Sequence, residues 1–457
     1  MLGRVLVVIG LVIAVTVVVA QVIGVRFEVD GSGMRPMLSR FDADAHFTAL
    51  ATDRAARTQP PVAIAATVAD RRPEALWPAY RGAERTGRYD HPIKTDWPAD
   101  GLTPLWQQPI GGGYASFVAA DRRLFTIEQR RDQEVVTAYD PDTGGELWTH
   151  GWDALFQEMM GGDGPRATPT WDEGRLFALG ATGELHSLDA ATGELLWRTN
   201  ILADAGARNL NWAMSASPLV VDGMVIVLPG GASGRSVVAY DADTGDTVWA
   251  ALDDVQGYTA PMLVELAGVR QILVVTAERA AGLSVADGTL LWDYSWIVSN
   301  VPNIAQPVLV SDDRVFLSAS YGQGSAMVEV TDTGGRLSAR EVWRTNRMKN
   351  KFSSSVLLDG YIYGLDDSIL ACLDAETGEL VWKGGRYGFG QLLLADGHLV
   401  ILTERGEVVL VRATPEGHDE RARFGALGGK TWNVPIIADG RLFVRNTTEM
   451  AAFDLAP

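Results

Sequence analysis

Basic side chains recur in the short segments that separate the hydrophobic runs of this sequence. Five of them are Arg166, Lys349, Lys351, Arg386 and Lys430, in a chain of 457 residues with a formal net charge of −18. Guanidinium and ammonium groups that converge in an acidic protein attract anions by a focused field and by charge-assisted hydrogen bonds. The segments are therefore a candidate anion-binding site.

Aromatic and amide residues in the same segments enlarge this candidate site. Trp212, Tyr387 and Trp432 could supply a planar stacking surface, and Asn209 and Asn350 lie beside them in the chain. A small anion, an acidic peptide or an oligosaccharide would suit such a set. The competing interpretation is structural, with tryptophans filling space and asparagines capping turns.

Several other chemistries are not supported by the sequence. The acidic balance argues against nucleic-acid binding, which needs a basic surface. The single cysteine, Cys372, excludes an internal disulfide and a cysteine-rich zinc site, and its strand-like context indicates a buried thiol. Glu128 could be a metal carboxylate or an ordinary strand residue, the six histidines lack metal-ligand spacing, and no catalytic base can be named.

An internal repeat must position these segments. The pattern Asp-x-x-Thr-Gly followed by a tryptophan four residues later recurs about every forty to fifty residues. Phe424 takes the place of the tryptophan in one further copy. The tryptophans of the complete, degenerate and partial copies are Trp106, Trp148, Trp197, Trp249, Trp292, Trp343 and Trp382.

Each repeat predicts four short antiparallel strands. Asp-Gly pairs such as Asp222-Gly223 and Asp359-Gly360 separate hydrophobic runs and indicate tight hairpins. Units of this size predict an all-β fold, an eight-bladed β-propeller, in which the strand around Trp106 completes the last blade. Seven blades would result if one degenerate copy were not a blade. The segments after the tryptophans then gather at one end of the axial channel.

The sequence predicts three regions along the chain. Residues 1–25 contain an apolar run from Val5 to Val25, which as a helix of about 31 Å would cross a bilayer. A cleaved signal peptide ending near Ala20 is the alternative, but the apolar run continues past that residue. Residues 26–74 predict a flexible linker with a weak helix within 42–57, and residues 75–457 form the propeller.

Four copies have the complete pattern, and they end at Trp148, Trp197, Trp249 and Trp382. These copies resemble the tryptophan-docking repeat of the pyrroloquinoline-quinone (PQQ) propellers. The preceding Trp77-Pro-Ala-Tyr80-Arg-Gly82 is similar to a lead-in found on uncharacterised bacterial PQQ-like propellers. One branch of that family contains quinoprotein dehydrogenases that hold PQQ and calcium at the axis. Another contains non-enzymatic members, such as the propeller lipoprotein of the outer-membrane β-barrel assembly machinery.

The resemblance implies two functions. The first is a binding or scaffolding module, anchored in a membrane by the N-terminal helix with its propeller in the periplasm. It would bind a protein partner, or a small anionic or glycan ligand, at one propeller face. The alternative is a PQQ- and calcium-dependent dehydrogenase of alcohols or sugars. The chain lacks the adjacent cysteine pair of the alcohol dehydrogenases, a c-type haem motif and a lipobox cysteine, so the first function is favoured.

Overall fold

Eight antiparallel sheets, the blades, follow one another along the chain and form a closed β-propeller. The computed structural model describes residues 25–29, 36–40, 43–56, 75–158, 161–298 and 302–457. The all-β, eight-bladed architecture predicted from the repeat is confirmed.

The elements before and between the blades are few. The N-terminal elements are β1 (Val25–Val29), β2 (Pro36–Arg40), α1 (Ala43–Ala56), β3 (Ala75–Trp77), β4 (Arg88–Tyr89) and β5 (Pro104–Pro109). The short helix α2 (Ile201–Ala205) lies between the second and third blades, where the Asn200 side chain accepts a hydrogen bond from Ala203 N and caps it.

The strands of each blade are given from the innermost to the outermost. Blade 1 is β6 (Val118–Ala120), β7 (Arg123–Arg130), β8 (Gln133–Tyr139) and β9 (Glu146–Asp153); blade 2 is β10 (Thr170–Asp172), β11 (Arg175–Leu179), β12 (Glu184–Asp189) and β13 (Leu195–Asn200). Blade 3 is β14 (Leu219–Val221), β15 (Met224–Val227), β16 (Val237–Asp241) and β17 (Thr247–Ala251); blade 4 is β18 (Met262–Leu266), β19 (Val269–Val275), β20 (Arg279–Ser284) and β21 (Leu290–Ser295).

The second half of the ring repeats this order. Blade 5 is β22 (Val308–Leu309), β23 (Arg314–Ala319), β24 (Gly324–Asp332) and β25 (Leu337–Thr345); blade 6 is β26 (Val356–Leu358), β27 (Tyr361–Asp366), β28 (Ile369–Asp374) and β29 (Leu380–Arg386). Blade 7 is β30 (Gln391–Ala395), β31 (His398–Leu402), β32 (Glu407–Arg412) and β33 (Asp419–Gly425); blade 8 is β34 (Ile436–Ala438), β35 (Arg441–Arg445), β36 (Glu449–Asp454) and β5.

The N-terminal strand β5 closes the ring as predicted. It is the outermost strand of blade 8 and pairs antiparallel with β36, with Trp106 opposite Ala452. Because the first and last strands of the propeller share one sheet, the two ends of the ring cannot separate without breaking a strand ladder.

The connections divide the propeller into two different faces. At one end lie the connections that run from the outermost strand of a blade to the innermost strand of the next, and we call this end the loop face. These connections include residues 110–117, 154–169, 201–218, 252–261, 296–307, 346–355, 387–390 and 426–435. We call the opposite end, which carries the hairpins after the innermost strands and the Asp-x-x-Thr-Gly turns, the turn face.

The repeat tryptophans join neighbouring blades. The indole Nε1 of Trp148 donates to Ala190 O at 3.2 Å, and that of Trp197 donates to Ala242 O at 2.9 Å; both acceptors lie in the turn of the next blade. A Cβ added to Gly193 would lie 2.5 Å from the Trp148 ring, so the glycine lets the turn lie against the indole. Trp106, Trp249, Trp343 and Trp382 also donate to carbonyls across a blade boundary.

Two positions depart from this arrangement. Trp292 donates to Gln271 Oε1 at 2.5 Å within its own blade, and Gly334 in the turn of the next blade has no atom near its Cβ position. At Phe424 the neighbouring turn is replaced by residues before β5, because Gly101 packs against the Phe424 ring, which also meets Trp97 at 5.5 Å. The sequence repeat predicted neither the hydrogen bond of Trp292 within its own blade nor the packing of Gly101 against Phe424.

The lead-in, residues 75–91, runs inside the ring of innermost strands. Strand β3 pairs with β6 of blade 1, and β4 pairs in parallel with β30 of blade 7. Between these strands the backbone reverses through two arginines with left-handed φ angles, Arg81 at 61° and Arg85 at 60°. The channel therefore contains a folded segment of the chain itself.

Both arginines fasten the lead-in to opposite sides of the ring. The Arg81 guanidinium donates to Ser355 O at 3.1 Å and to Leu392 O at 3.3 Å, in blades 6 and 7.

The Arg85 guanidinium donates to Ser217 O at 3.1 Å, to Thr170 Oγ1 at 3.4 Å and to Pro218 O, in blades 2 and 3. Both side chains are buried, and in the described part of the chain neither has a carboxylate partner. Burial lowers the pKa of both guanidiniums, that of Arg85 to about 9, against the opposing effect of Tyr80.

The predicted linker contains ordered elements. Strands β1 and β2 form a hairpin with Val25 opposite Arg40, and α1 packs on blade 1 with Leu50 buried. The helix expected within residues 42–57 is therefore present as α1. The expected membrane helix falls almost entirely outside the described residues; within them, no helix combines the length and apolarity that crossing a bilayer requires.

The turn glycines provide a first test of the interblade contacts. Gly193 and Gly334 have similar φ angles of 77° and 68°, but only Gly193 lies against a tryptophan. We expect Gly193→Ala to lower the free energy of unfolding by about 2–4 kcal/mol, because it adds a clash to the cost of a left-handed alanine. Gly334→Ala should cost about 1 kcal/mol. Equal losses in urea titrations would contradict the docking role of Trp148.

The buried Arg85 provides a second test. Arg85→Ala removes the donors of three buried acceptors and leaves a cavity, so we expect a loss of about 3–5 kcal/mol in the free energy of unfolding. The matched control is Arg122→Ala, since Arg122 also has a left-handed φ, of 58°, but is exposed. It should change stability by less than about 1 kcal/mol. Indistinguishable urea midpoints would show that the lead-in does not brace the ring.

Candidate functional site

Cations and aromatic rings alternate at the centre of the loop face. We call this group the loop-face cluster; its members are Tyr114, Arg166, Tyr321, Lys351, Phe352, Phe389, Lys430 and Trp432. They come from the connections that enter blades 1, 2, 6, 7 and 8 and from the β23–β24 hairpin of blade 5. Four of the sequence-predicted site residues, Arg166, Lys351, Lys430 and Trp432, belong to it.

Lys351 lies among three aromatic rings. Its Nζ is 4.1 Å from the ring centroid of Phe389, 5.2 Å from that of Phe352 and 5.6 Å from that of Tyr321. The negative faces of the rings replace part of the hydration of the ammonium group. Burial lowers the pKa of Lys351, and the nearby Glu404 carboxylate opposes this shift. Lys351 therefore presents a partly desolvated positive charge.

Lys430 and Arg166 flank the other end of the aromatic row. The Nζ of Lys430 is 4.4 Å from the Trp432 ring and 5.9 Å from the Tyr114 ring. The Cζ of Arg166 is 5.6 Å from the Tyr114 ring, and burial lowers the pKa of this guanidinium. Tyr114 thus lies between the two cations. Of these, Arg166 is nearly buried, lies 3.8 Å from Glu158 Oε1 and donates to Gly162 O at 2.6 Å.

The rings form a continuous row between these cations. Trp432 is 5.4 Å from Tyr114 and 4.6 Å from Phe352, and Phe352 is 5.6 Å from Phe389, between ring centroids. Such tilted and edge-on contacts match the preferred geometry of aromatic pairs. The row offers an apolar surface with cations along its length, which fits an apolar segment that carries carboxylates.

Glu404 fixes the orientation of this row. Its Oε1 accepts a hydrogen bond from Trp432 Nε1 at 3.0 Å, and its Oε2 accepts one from Phe389 N at 3.4 Å. The carboxylate thus holds an indole and a backbone segment from two different connections. Glu404 and the rings of Tyr114, Tyr321, Phe352 and Phe389 were missed in the sequence, where isolated aromatic residues between strands give no repeat signal.

Lys349 and Asn350 lie beside the cluster, but their side chains bind groups of blade 6 and of the connection that enters it. The Nζ of Lys349 pairs with Asp366 Oδ1 at 2.6 Å. The buried Asn350 donates through Nδ2 to Leu365 O at 3.1 Å and accepts from Ser355 Oγ at 2.8 Å. These contacts fasten the connection that presents Lys351, so both residues support the cluster without being members of it.

The remaining predicted site residues lie apart from the cluster. Arg386 donates to Ser368 Oγ at 2.9 Å, and the hydroxyl of the buried Tyr387 lies 2.7 Å from His418 Nε2 and 2.8 Å from Glu420 Oε2. Asn209 donates to Ala181 O at 2.8 Å, and Trp212 is half-buried in the same connection. The expectation that all five basic residues converge is therefore wrong for Lys349 and Arg386, which bind groups of their own blade.

Glu128 is a structural carboxylate in β7. It accepts hydrogen bonds from Tyr139 Oη at 2.7 Å and Thr137 Oγ1 at 2.9 Å, and it pairs with Arg130 at 2.5 Å and with Arg54 of α1 at 3.5 Å. Burial disfavours its charge, yet the guanidiniums hold its pKa well below the ordinary value. A metal ion would have to displace these cations, so the contacts of Glu128 favour its interpretation as an ordinary strand residue.

The channel residues do not fit PQQ and calcium. The space inside the innermost strands holds the lead-in, and a planar quinone there would have to displace its buried arginines. Among the described residues, no three His, Cys, Asp or Glu side chains form a metal-holding group. Cys372 is the one cysteine of the sequence and is buried in β28, so there is no adjacent cysteine pair to lie against a quinone.

Comparison with known proteins locates this propeller among its relatives. The outer membrane protein assembly factor BamB of Moranella endobia (strain PCIT) is 27% identical over 260 residues, which are 54% of this chain and 64% of that protein. The quinohemoprotein alcohol dehydrogenase of Comamonas testosteroni is 31% identical over 123 residues, 25% of this chain and 16% of that protein. The matched regions thus span less than two thirds of either relative.

A solved structure shares the fold. BamB from Moraxella catarrhalis superimposes with a TM-score of 0.56 at 16% sequence identity, covering 77% of this chain and 99% of that one. The PQQ_2 family profile, described as outer membrane protein assembly factor BamB, matches residues 131–384. This match covers more than half of the chain, and the tryptophan-docked blades continue beyond it. The protein therefore belongs to this BamB-type family of PQQ-repeat propellers.

Proposed function

We propose that this protein is a membrane-anchored, extracytoplasmic binding module whose loop-face cluster takes an acidic, partly apolar segment of a protein partner. The observation that carries the proposal is the alternation of Lys351, Lys430 and Arg166 with a continuous row of aromatic rings, in a chain of net charge −18. Partly desolvated cations bind carboxylates more strongly than solvated ones, and aromatic residues dominate the energetics of protein interfaces.

Two features favour a protein partner over the other ligands that suit this chemistry. The aromatic row is a surface several residues long, assembled from four connections, which matches an extended segment better than a single small anion. The family and the Moranella endobia relative are described as outer membrane protein assembly factors, a role that depends on protein contacts. A glycan or a small anion that competes at the cluster would be an alternative outcome of the test.

The membrane anchor is the second part of the proposal. The apolar run from Val5 to Val25 is long enough to cross a bilayer as a helix and contains no charged residue. The propeller would then lie in the periplasm, tethered through residues 26–74. Extraction of membranes at high pH tests this part separately, since an anchored chain stays in the pellet and a peripheral one is released.

Affinity capture from solubilised membranes tests the cluster. We expect the Lys351→Ala/Lys430→Ala full-length chain to retain at least tenfold less of the partner than the wild type, because two partly desolvated cations each contribute about 1 kcal/mol or more. Raising the salt concentration should weaken wild-type capture in the same direction. Quantitative mass spectrometry of the captured proteins provides the measurement.

The control removes the same number of charges elsewhere. Arg412→Ala/Arg421→Ala changes two exposed residues on β32 and β33, outside the loop-face cluster. It should leave capture unchanged. If the two double variants captured the same proteins in equal amounts, the cluster would not be the binding site.

The dehydrogenase alternative has a direct test. Titration of the full-length chain with PQQ and calcium should give no binding heat, and no electron-accepting dye should be reduced with alcohols or sugars, because the lead-in occupies the channel. Binding at micromolar concentration together with dye reduction would replace the binding-module proposal with an enzyme.

A further inference from the structure

Helix α1 begins at the rim of the loop face. Asp44 in its first turn pairs with Arg131 Nη1 at 2.8 Å, and His46 Nε2 lies 3.0 Å from Ile110 O. Arg131 lies in the β7–β8 hairpin and Ile110 in the β5–β6 connection, both at the loop face. Ten residues later Arg54 reaches Glu146 at 2.7 Å, the first residue of β9 after its turn. The helix therefore runs along blade 1 from the loop face towards the turn face.

The β1–β2 hairpin brings the end of the apolar segment to this point. Val25, the last residue of that segment, is paired with Arg40, and Ala43 begins α1. Paired strand residues lie about 5 Å apart, and three residues span at most about 11 Å. The apolar segment therefore ends within about 16 Å of the start of α1, at the rim of the loop face.

Exposed apolar side chains occur at both ends of the propeller, including Leu196 and Val248 at the turn-face ends of outermost strands, so the two faces differ mainly in charge. On the loop face, three connections each expose an apolar side chain: Leu155 at 48%, Val255 at 48% and Ile297 at 56% of its full accessibility.

The turn face presents many carboxylates, which anionic headgroups repel; arginines of the same face pair with five of them, Asp142, Asp222, Asp243, Glu376 and Asp439. The carboxylates of the turn face are Asp121, Asp140, Asp142, Glu173, Asp189, Asp222, Asp241, Asp243, Asp246, Asp287, Asp312, Asp313, Asp332, Asp359, Asp374, Glu376, Asp396 and Asp439.

We infer that the loop face lies against the bilayer in which the N-terminal segment is embedded, with Leu155, Val255 and Ile297 at the headgroup boundary. This inference rests on the membrane anchoring proposed above. It narrows the partner of the loop-face cluster to a protein whose acidic segment lies next to the membrane surface. The turn face, with its rings of carboxylates, then points away from the bilayer.

Site-specific fluorescence in vesicles tests this orientation. The full-length chain is reconstituted in phosphatidylcholine–phosphatidylglycerol vesicles that contain a headgroup nitroxide lipid, with one dye on a single introduced cysteine. Val255→Cys and Asp246→Cys form a matched pair, because they flank opposite ends of β17, a strand about 17 Å long. The native Cys372 is buried and should stay unlabelled.

We expect the nitroxide to quench the dye at position 255, and at Ile297→Cys, at least threefold more than at position 246. Equal quenching at 246 and 255, or stronger quenching at 246, in a chain that resists high-pH extraction would overturn the orientation and leave the anchor intact. Release of the chain at high pH would overturn the anchor and the orientation together.

A variant of the helix contact separates the role of α1 from that of the apolar side chains. Leu50 is a buried residue of α1, so Leu50→Asp should detach the helix from blade 1 while the anchor stays in the bilayer. We expect the quenching difference between positions 255 and 246 to fall at least twofold in this variant. An unchanged difference, with α1 shown to be detached by proteolysis within residues 43–56, would exclude α1 as the orienting element.

Discussion

The contact on which this propeller depends is the docking of an indole on the turn of the next blade. One side chain does two things there: its ring covers a glycine that has no Cβ, and its N–H satisfies a backbone carbonyl of the same turn. Each blade alone is a four-stranded sheet with two apolar faces, which cannot be stable without neighbours. The indole fixes the angle and distance between neighbours, so the repeat spacing becomes a closed ring.

This dependence explains which parts of the structure were predictable from the sequence. The docking residues recur at fixed positions within a unit, so the number of blades and the closing strand around Trp106 could be inferred. Gly101 packs on Phe424 from a segment more than three hundred residues away in the chain, and no periodic signal marks such a pair. The same holds for Tyr114, which meets Trp432 across the closure of the ring. Four of the ten predicted site residues reached the cluster, because residue type does not reveal which connection turns inwards.

The lead-in fills the channel inside this ring. Buried carbonyls at or just before the starts of innermost strands face the axis, and they need hydrogen-bond donors. Arg81 and Arg85 provide donors to opposite sides, at the cost of burying two guanidiniums without carboxylates. Their left-handed backbone indicates that the segment is shaped around these contacts. A channel filled in this way leaves recognition to the outer surfaces.

The antiparallel order within each blade then decides which segments lie at which face. With four strands per blade, every short hairpin after an innermost strand and every Asp-x-x-Thr-Gly turn must lie at one end, while the variable connections lie at the other. The docking turns need aspartate to bind their backbone N–H groups, as Asp241 does for Thr244, so the turn face becomes acidic as a consequence of the fold. The connections carry no such requirement and are free to hold Lys351, Lys430 and the aromatic row. The charge difference between the faces, and the position of the proposed binding site on the loop face, therefore follow from the same strand order that forms the ring.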